Sequence, residues 1–129
     1  GMPLYGHELD LNTKPQEAGL GRVVAFDKES FVGKAALESA PVTKILHGLK
    51  GEGRRAARAD YEIFYPGSDT ALGIVTSGAL SPTLGYPVAM AYLSVSDALA
   101  PGTKLEADVR GTRVNYEVVA LPFYKREGK

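Results

Sequence analysis

The sequence predicts a mainly β protein: an antiparallel six-stranded barrel or jelly-roll-like domain with two short helices on its N-terminal side. Three observations lead there. Gly 15 and Pro 8 are scattered along 129 residues, a spacing that suits many short elements joined by turns. From residue 42 onward, six short runs alternate apolar and polar residues or carry strand-like apolar patterning between turn signals. The cleanest is residues 104–110, where Leu105, Ala107 and Val109 face one way and Lys104, Glu106, Asp108 and Arg110 the other.

In chain order, Thr13 and Gln16 have capping-box spacing with Pro15 in the first turn, predicting a short helix over residues 14–18 that stops at Gly19 and Gly21. Val23, Val24, Ala25 and Phe26 form a continuous apolar run of strand length. Residues 33–39 hold strong helix formers and predict a second helix, closed by Pro41. The expected strands then run over residues 43–49, with Ile45, His47 and Leu49 on one face, and 61–65, where Tyr61, Ile63 and Tyr65 alternate with Glu62 and Phe64. The next covers 71–77, and Val88, Met90 and Tyr92 share a face of another. The last two cover residues 104–110 and 113–121, joined by a turn at Gly111-Thr112. The expected division is a connecting segment over 1–41 and a barrel over 42–129.

Bulk properties exclude several functions. Lys+Arg and Asp+Glu are both 15, so the chain lacks the basic excess of a nucleic-acid binder. Cys is absent, which removes disulfides, thiolate metal sites and a Cys nucleophile, and favours a cytoplasmic reading. No apolar run reaches the ~18 residues of a membrane span, and no signal peptide is visible. Gly1 ahead of Met2 reads as an expression remnant. There is no nucleophile elbow, Walker loop or dinucleotide fingerprint. His47 reads as a satisfied barrel-wall histidine, and His7, Glu8 and Asp10 as a solvated loop, so no metal ligand is assigned. Lys50, Arg54, Arg55 and Arg58 make a local basic patch diluted by Glu52 and Asp60.

Several local strings carry more. They are Leu4-Tyr5-Gly6-His7-Glu8-Leu9-Asp10, Phe31-Val32-Gly33-Lys34-Ala35-Ala36-Leu37, Gly73-Ile74-Val75-Thr76-Ser77-Gly78, Ser81-Pro82-Thr83-Leu84-Gly85 and Leu121-Pro122-Phe123-Tyr124. In this order the chain resembles the glycine cleavage T-protein (aminomethyltransferase) family, its C-terminal barrel with the preceding linker.

The resemblance implies a parent enzyme that moves an aminomethyl group from the lipoylated H-protein to tetrahydrofolate. This chain would wall the folate site and pack on an N-terminal folate domain. The family's catalytic Asp lies outside the matching strings, so no catalytic residue is named and the chain alone is expected to be inactive. Tyr5 matches a folate-lining tyrosine, with anchoring of the chain as its other reading. Arg58 matches an arginine that either holds a structural carboxylate or faces an anionic partner. Arg126 matches a basic tail that reaches the glutamate carboxylates of folate, against a solvated terminus. The Ser81–Gly85 loop either shapes the barrel end or lines the folate edge. Two alternatives stay open: a free-standing barrel that binds without catalysis, and the barrel of a folate-dependent demethylase or dehydrogenase.

Overall fold

The computed structural model describes residues 1–128. Six strands form a closed antiparallel barrel: β1 (Ile45–Gly51), β2 (Glu62–Phe64), β3 (Gly73–Leu80), β4 (Pro87–Leu93), β5 (Lys104–Val109) and β6 (Thr112–Val119), in spatial order β1-β4-β3-β2-β5-β6. Pairing of β1 with β6, from Gly48↔Val119 to Gly51↔Tyr116, closes the ring.

Alternation builds the interior. Leu105, Ala107 and Val109 point inward as expected, and meet Leu49, Ile63, Val75, Tyr116 and Val118. On β4 the inward set is Ala89, Ala91 and Leu93. Val88 and Tyr92 take the outer face and are only half-buried. Small alanines on β4 leave room for larger side chains from the facing wall, as a six-stranded barrel requires. β5 and β6 join through Arg110 (φ 55) and Gly111 (φ 83), a two-residue turn with both residues left-handed. The Gly111 N–H donates to Asp108 Oδ1 at 2.6 Å. The turn therefore lies one residue earlier than expected, at Arg110-Gly111.

The N-terminal side departs from expectation twice. Among the described residues only one α-helix forms, α1 (Lys34–Ser39), plus a single 3₁₀ turn at Gly21–Val23. Residues 14–18 make one turn, closed by Leu20 N–H to the Pro15 carbonyl at 2.8 Å. Glu17, not Gln16, folds back on the turn, accepting from Lys14 N–H at 3.1 Å. Gly19 at φ 72 then ends it before helix propagation can repay nucleation. The apolar run at 23–26 is not a strand, because the closed barrel offers it no free edge. Its first residue, Val23, ends the 3₁₀ turn, and the rest continues in tight turns, with Val24 N–H on the Gly21 carbonyl at 3.1 Å.

Candidate functional site

The first ten residues form a tight loop against the outside of the barrel. Leu4 carbonyl accepts from the N–H groups of His7, Glu8 and Leu9, and Gly6 N–H returns to Leu9 carbonyl at 2.8 Å. His7 and Asp10 are exposed, as a solvated loop predicts, but Glu8 between them is only 3% exposed.

The Glu8 carboxylate is fully engaged. Its Oε1 accepts from Ser77 Oγ at 2.6 Å and from Thr76 Oγ1 at 2.7 Å. The other oxygen accepts from Leu4 N–H at 3.0 Å. Thr76 Oγ1 also lies 3.0 Å from the Met90 carbonyl, but its single proton goes to the charged acceptor.

Neighbouring strand residues normally point to opposite faces. Here the β3–β4 register slips between Val75 and Ser77, leaving Thr76 as the extra residue of a bulge. The bulge re-aims β3 so that both hydroxyls reach one oxygen. Burial pushes the Glu8 carboxyl up, but its hydrogen bonds from Ser77, Thr76 and Leu4 outweigh that and hold it below the usual range.

Tyr92 of β4 closes the arrangement by donating from its hydroxyl to the Glu8 carbonyl at 2.6 Å. Burial, reinforced by the negative charges of Glu17 and Glu8, pushes this phenol up to about 12, so it remains a donor at neutral pH. Lys44 Nζ sits 4.5 Å above the Tyr92 ring and donates to Thr13 Oγ1 at 3.2 Å. A cleft of about 520 Å³ opens beside this cluster, with Lys44, His7, Asp60, Thr76 and Tyr92 among its walls. The second buried carboxylate, Glu17, ties the 14–18 turn to the barrel. It accepts from Lys14 and Thr43, while its carbonyl takes Leu46 N–H at 2.9 Å.

The three expected site residues occupy separate places. Tyr5 lies in the Glu8-anchored loop with its side chain 69% exposed. Arg58 is exposed and donates to the Gly78 carbonyl of β3 at 3.1 Å, so its observed partner is a backbone oxygen. Arg126 lines a groove of about 480 Å³ with Leu84, Phe123 and Tyr124. That groove brings the tail to the Ser81–Gly85 loop, which Ser81 caps by accepting Leu84 N–H at 3.2 Å. None of the described clefts holds two of the three. Glu8 went unrecognised because sequence gives a buried and an exposed glutamate the same letter. The available signal was two hydroxyl residues, Thr76-Ser77, in a string that matched the same family.

Residues 44–125 match the family model of the glycine cleavage T-protein C-terminal barrel domain. The chain belongs to this family. Its relatives agree: an aminomethyltransferase of Corynebacterium jeikeium is 55% identical across 98% of the chain, and one of Streptomyces coelicolor 53% across 98%. The T-protein barrel also has a solved counterpart, the glycine cleavage system aminomethyltransferase T from Bartonella henselae, at TM-score 0.81 and 30% identity over 95% of the chain. The chain spans 35% of the C. jeikeium protein, 36% of the S. coelicolor protein and 35% of the Bartonella chain. Arg58 falls inside the matched barrel, whereas Tyr5, Glu8 and Arg126 lie outside it. Among the described residues no helix is long and apolar enough to cross a membrane.

Proposed function

We propose that this chain is the C-terminal portion of a cytoplasmic, tetrahydrofolate-dependent aminomethyltransferase, in which it walls the folate site. Residues 1–41 connect it to an N-terminal folate domain, and residues 42–129 are assigned to the barrel domain, Lys129 lying outside the described residues. The parent takes the aminomethyl group from the lipoylated H-protein, and tetrahydrofolate, when bound, accepts the one-carbon unit while ammonia leaves.

The observation that carries this reading is Tyr5: an aromatic ring 69% exposed on a loop whose base is locked to the barrel. A large ring held out on an ordered loop fits a flat aromatic ligand such as a pterin or benzoyl group. Arg126, with a fixed fork of donors, suits the glutamate carboxylates. Arg58, bound to the Gly78 carbonyl, orders the barrel end and keeps further donors for an anionic group.

Titration of the complete polypeptide with mono- and polyglutamyl tetrahydrofolate tests the assignment. Tyr5→Ala should weaken both ligands roughly three- to tenfold, the loss of one ring contact. Arg126→Ala should act chiefly on the polyglutamyl form. Unchanged binding of both ligands by a folded Tyr5→Ala would make Tyr5 an anchor of the chain and overturn its assignment to the folate site.

A further inference from the structure

We propose that Glu8 is a positioning residue: through the β3 bulge and Tyr92 it locks the 4–9 loop in one conformation and so presents Tyr5 to the ligand. This rests on the folate reading of Tyr5 given above.

Glu8 does not itself touch a ligand, because it is 3% exposed and both carboxylate oxygens are bonded within the protein. What it holds is the chain on either side of Tyr5. Before Tyr5, the Leu4 N–H is bound to the Glu8 carboxylate. After Tyr5, the Glu8 carbonyl is bound by the Tyr92 hydroxyl, and Tyr5 itself bridges to Leu9. The peptide carrying the ring is thus pinned at both ends to β3 and β4, two strands of a closed barrel.

The bulge gives the anchor its specificity. With regular pairing, one of Thr76 and Ser77 would face the barrel interior and Glu8 would keep a single hydroxyl partner. An extra residue at Thr76 turns both outward onto the same oxygen. Pre-ordering matters at this position because a loop that must be frozen on binding takes its ordering cost out of ligand affinity. Glu8 therefore acts on affinity and leaves the reacting atoms alone.

The test uses the complete aminomethyltransferase carrying Glu8→Gln, Tyr5→Ala and both together. The glutamine keeps one acceptor oxygen but loses the charge and one of the two acceptors. Glu8→Gln should raise KM for tetrahydrofolate by up to about tenfold, no more than Tyr5→Ala does, as charge-assisted bonds weaken, with kcat within about twofold. The double variant should be no worse than Tyr5→Ala alone, since both changes act through one ring. Chymotrypsin cleavage after Tyr5 should accelerate in Glu8→Gln. If Glu8→Gln does not fold, Ser77→Ala, which keeps the carboxylate and Thr76, should show the same non-additivity with a smaller rise.

Additive KM effects, or unchanged cleavage at Tyr5, overturn the proposal. Tyr5→Ala without effect on KM removes the folate reading alone, and faster cleavage in Glu8→Gln then still supports the anchor.

Discussion

His47 is held by both ring nitrogens. Nδ1 lies 2.9 Å from the Ile45 carbonyl and Nε2 accepts Leu99 N–H at 2.9 Å, so the proton sits on Nδ1 and the ring is neutral. Burial pushes its pKa down, more than the Ile45 carbonyl pushes it up. Because the folded value lies below the unfolded 6.5, the unfolded state binds the extra proton first. Stability from this group is complete above about pH 6.5 and falls as the pH drops through the window below it. Urea midpoints at about pH 7.5 and 5.5 should therefore differ, and His47→Leu should lower both midpoints while shrinking the difference. An unchanged difference in the variant would locate the dependence elsewhere. Tyr116 is a second buried anchor, its hydroxyl accepting Ala57 N–H at 2.8 Å. Tyr116→Phe strands that buried donor and should cost ~1–3 kcal/mol in chemical denaturation. His47 was legible in the sequence, since Ile45, His47 and Leu49 alternate on one strand. Glu8 was not, because its partners lie 68 and 69 residues away and converge only through an irregularity that no period predicts.

At the level of elements, regular patterning carried over and irregularity did not. β5 matched its expected span to one residue because Leu105, Ala107 and Val109 obey a strict period of two. β3 ran further than expected, to Leu80, because the bulge absorbs the break in pattern around Thr76-Ser77. β2 shrank to Glu62–Phe64, and Phe64, expected on the polar side, is buried beneath the Arg113 guanidinium, 3.3 Å from its ring centroid. The crossing of β3 by the preceding loop depends on a missing side chain. A Cβ at Gly78 would collide with the Ala57 carbonyl oxygen, and that backbone cannot yield because Tyr116 holds the Ala57 N–H. Gly78→Ala should destabilise by ~1–3 kcal/mol through overpacking and release Arg58 from the Gly78 carbonyl. Denaturant midpoints and the chemical shift of the Arg58 side chain would record both effects. A neutral Gly78→Ala would mean that the loop has slack.

For the molecule as a whole, two buried carboxylates staple the N-terminal segment to the barrel, and both should govern acid behaviour. Burial raises Glu8 and Glu17, but hydrogen bonds to each exceed that push, so both sit below the unfolded 4.5. Depressed carboxylates contribute stability that is full above the unfolded pKa and is lost as the pH falls through the folded one. Acid titration followed by hydrogen exchange should thus release residues 4–18 below about pH 4.5, a lower window than that of His47. Release of the segment at the His47 step instead would assign the staple to another group. The chain covers about a third of the length of these relatives, and on the proposed function the parent's catalytic carboxylate belongs to the part outside it. The purified 129-residue chain should accordingly show no methylenetetrahydrofolate formation with carrier and ammonia supplied, in a single-turnover assay.

The β1–β6 seam has a consequence for how the protein is made. β1 is complete by Gly51, yet its partner residues on that flank run from Tyr116 to Val119. A ribosome extrudes the first margin of the sheet long before the strand that seals it. Until then the nascent chain is an open ribbon whose unpaired N–H and C=O groups can recruit a neighbouring chain on the same polysome. The remedy for such a margin is speed of late closure, which long-range pairing makes intrinsically slow. Tyr116 lies in the sealing strand and, by reaching back to Ala57, joins that late strand to an earlier loop as the ring shuts.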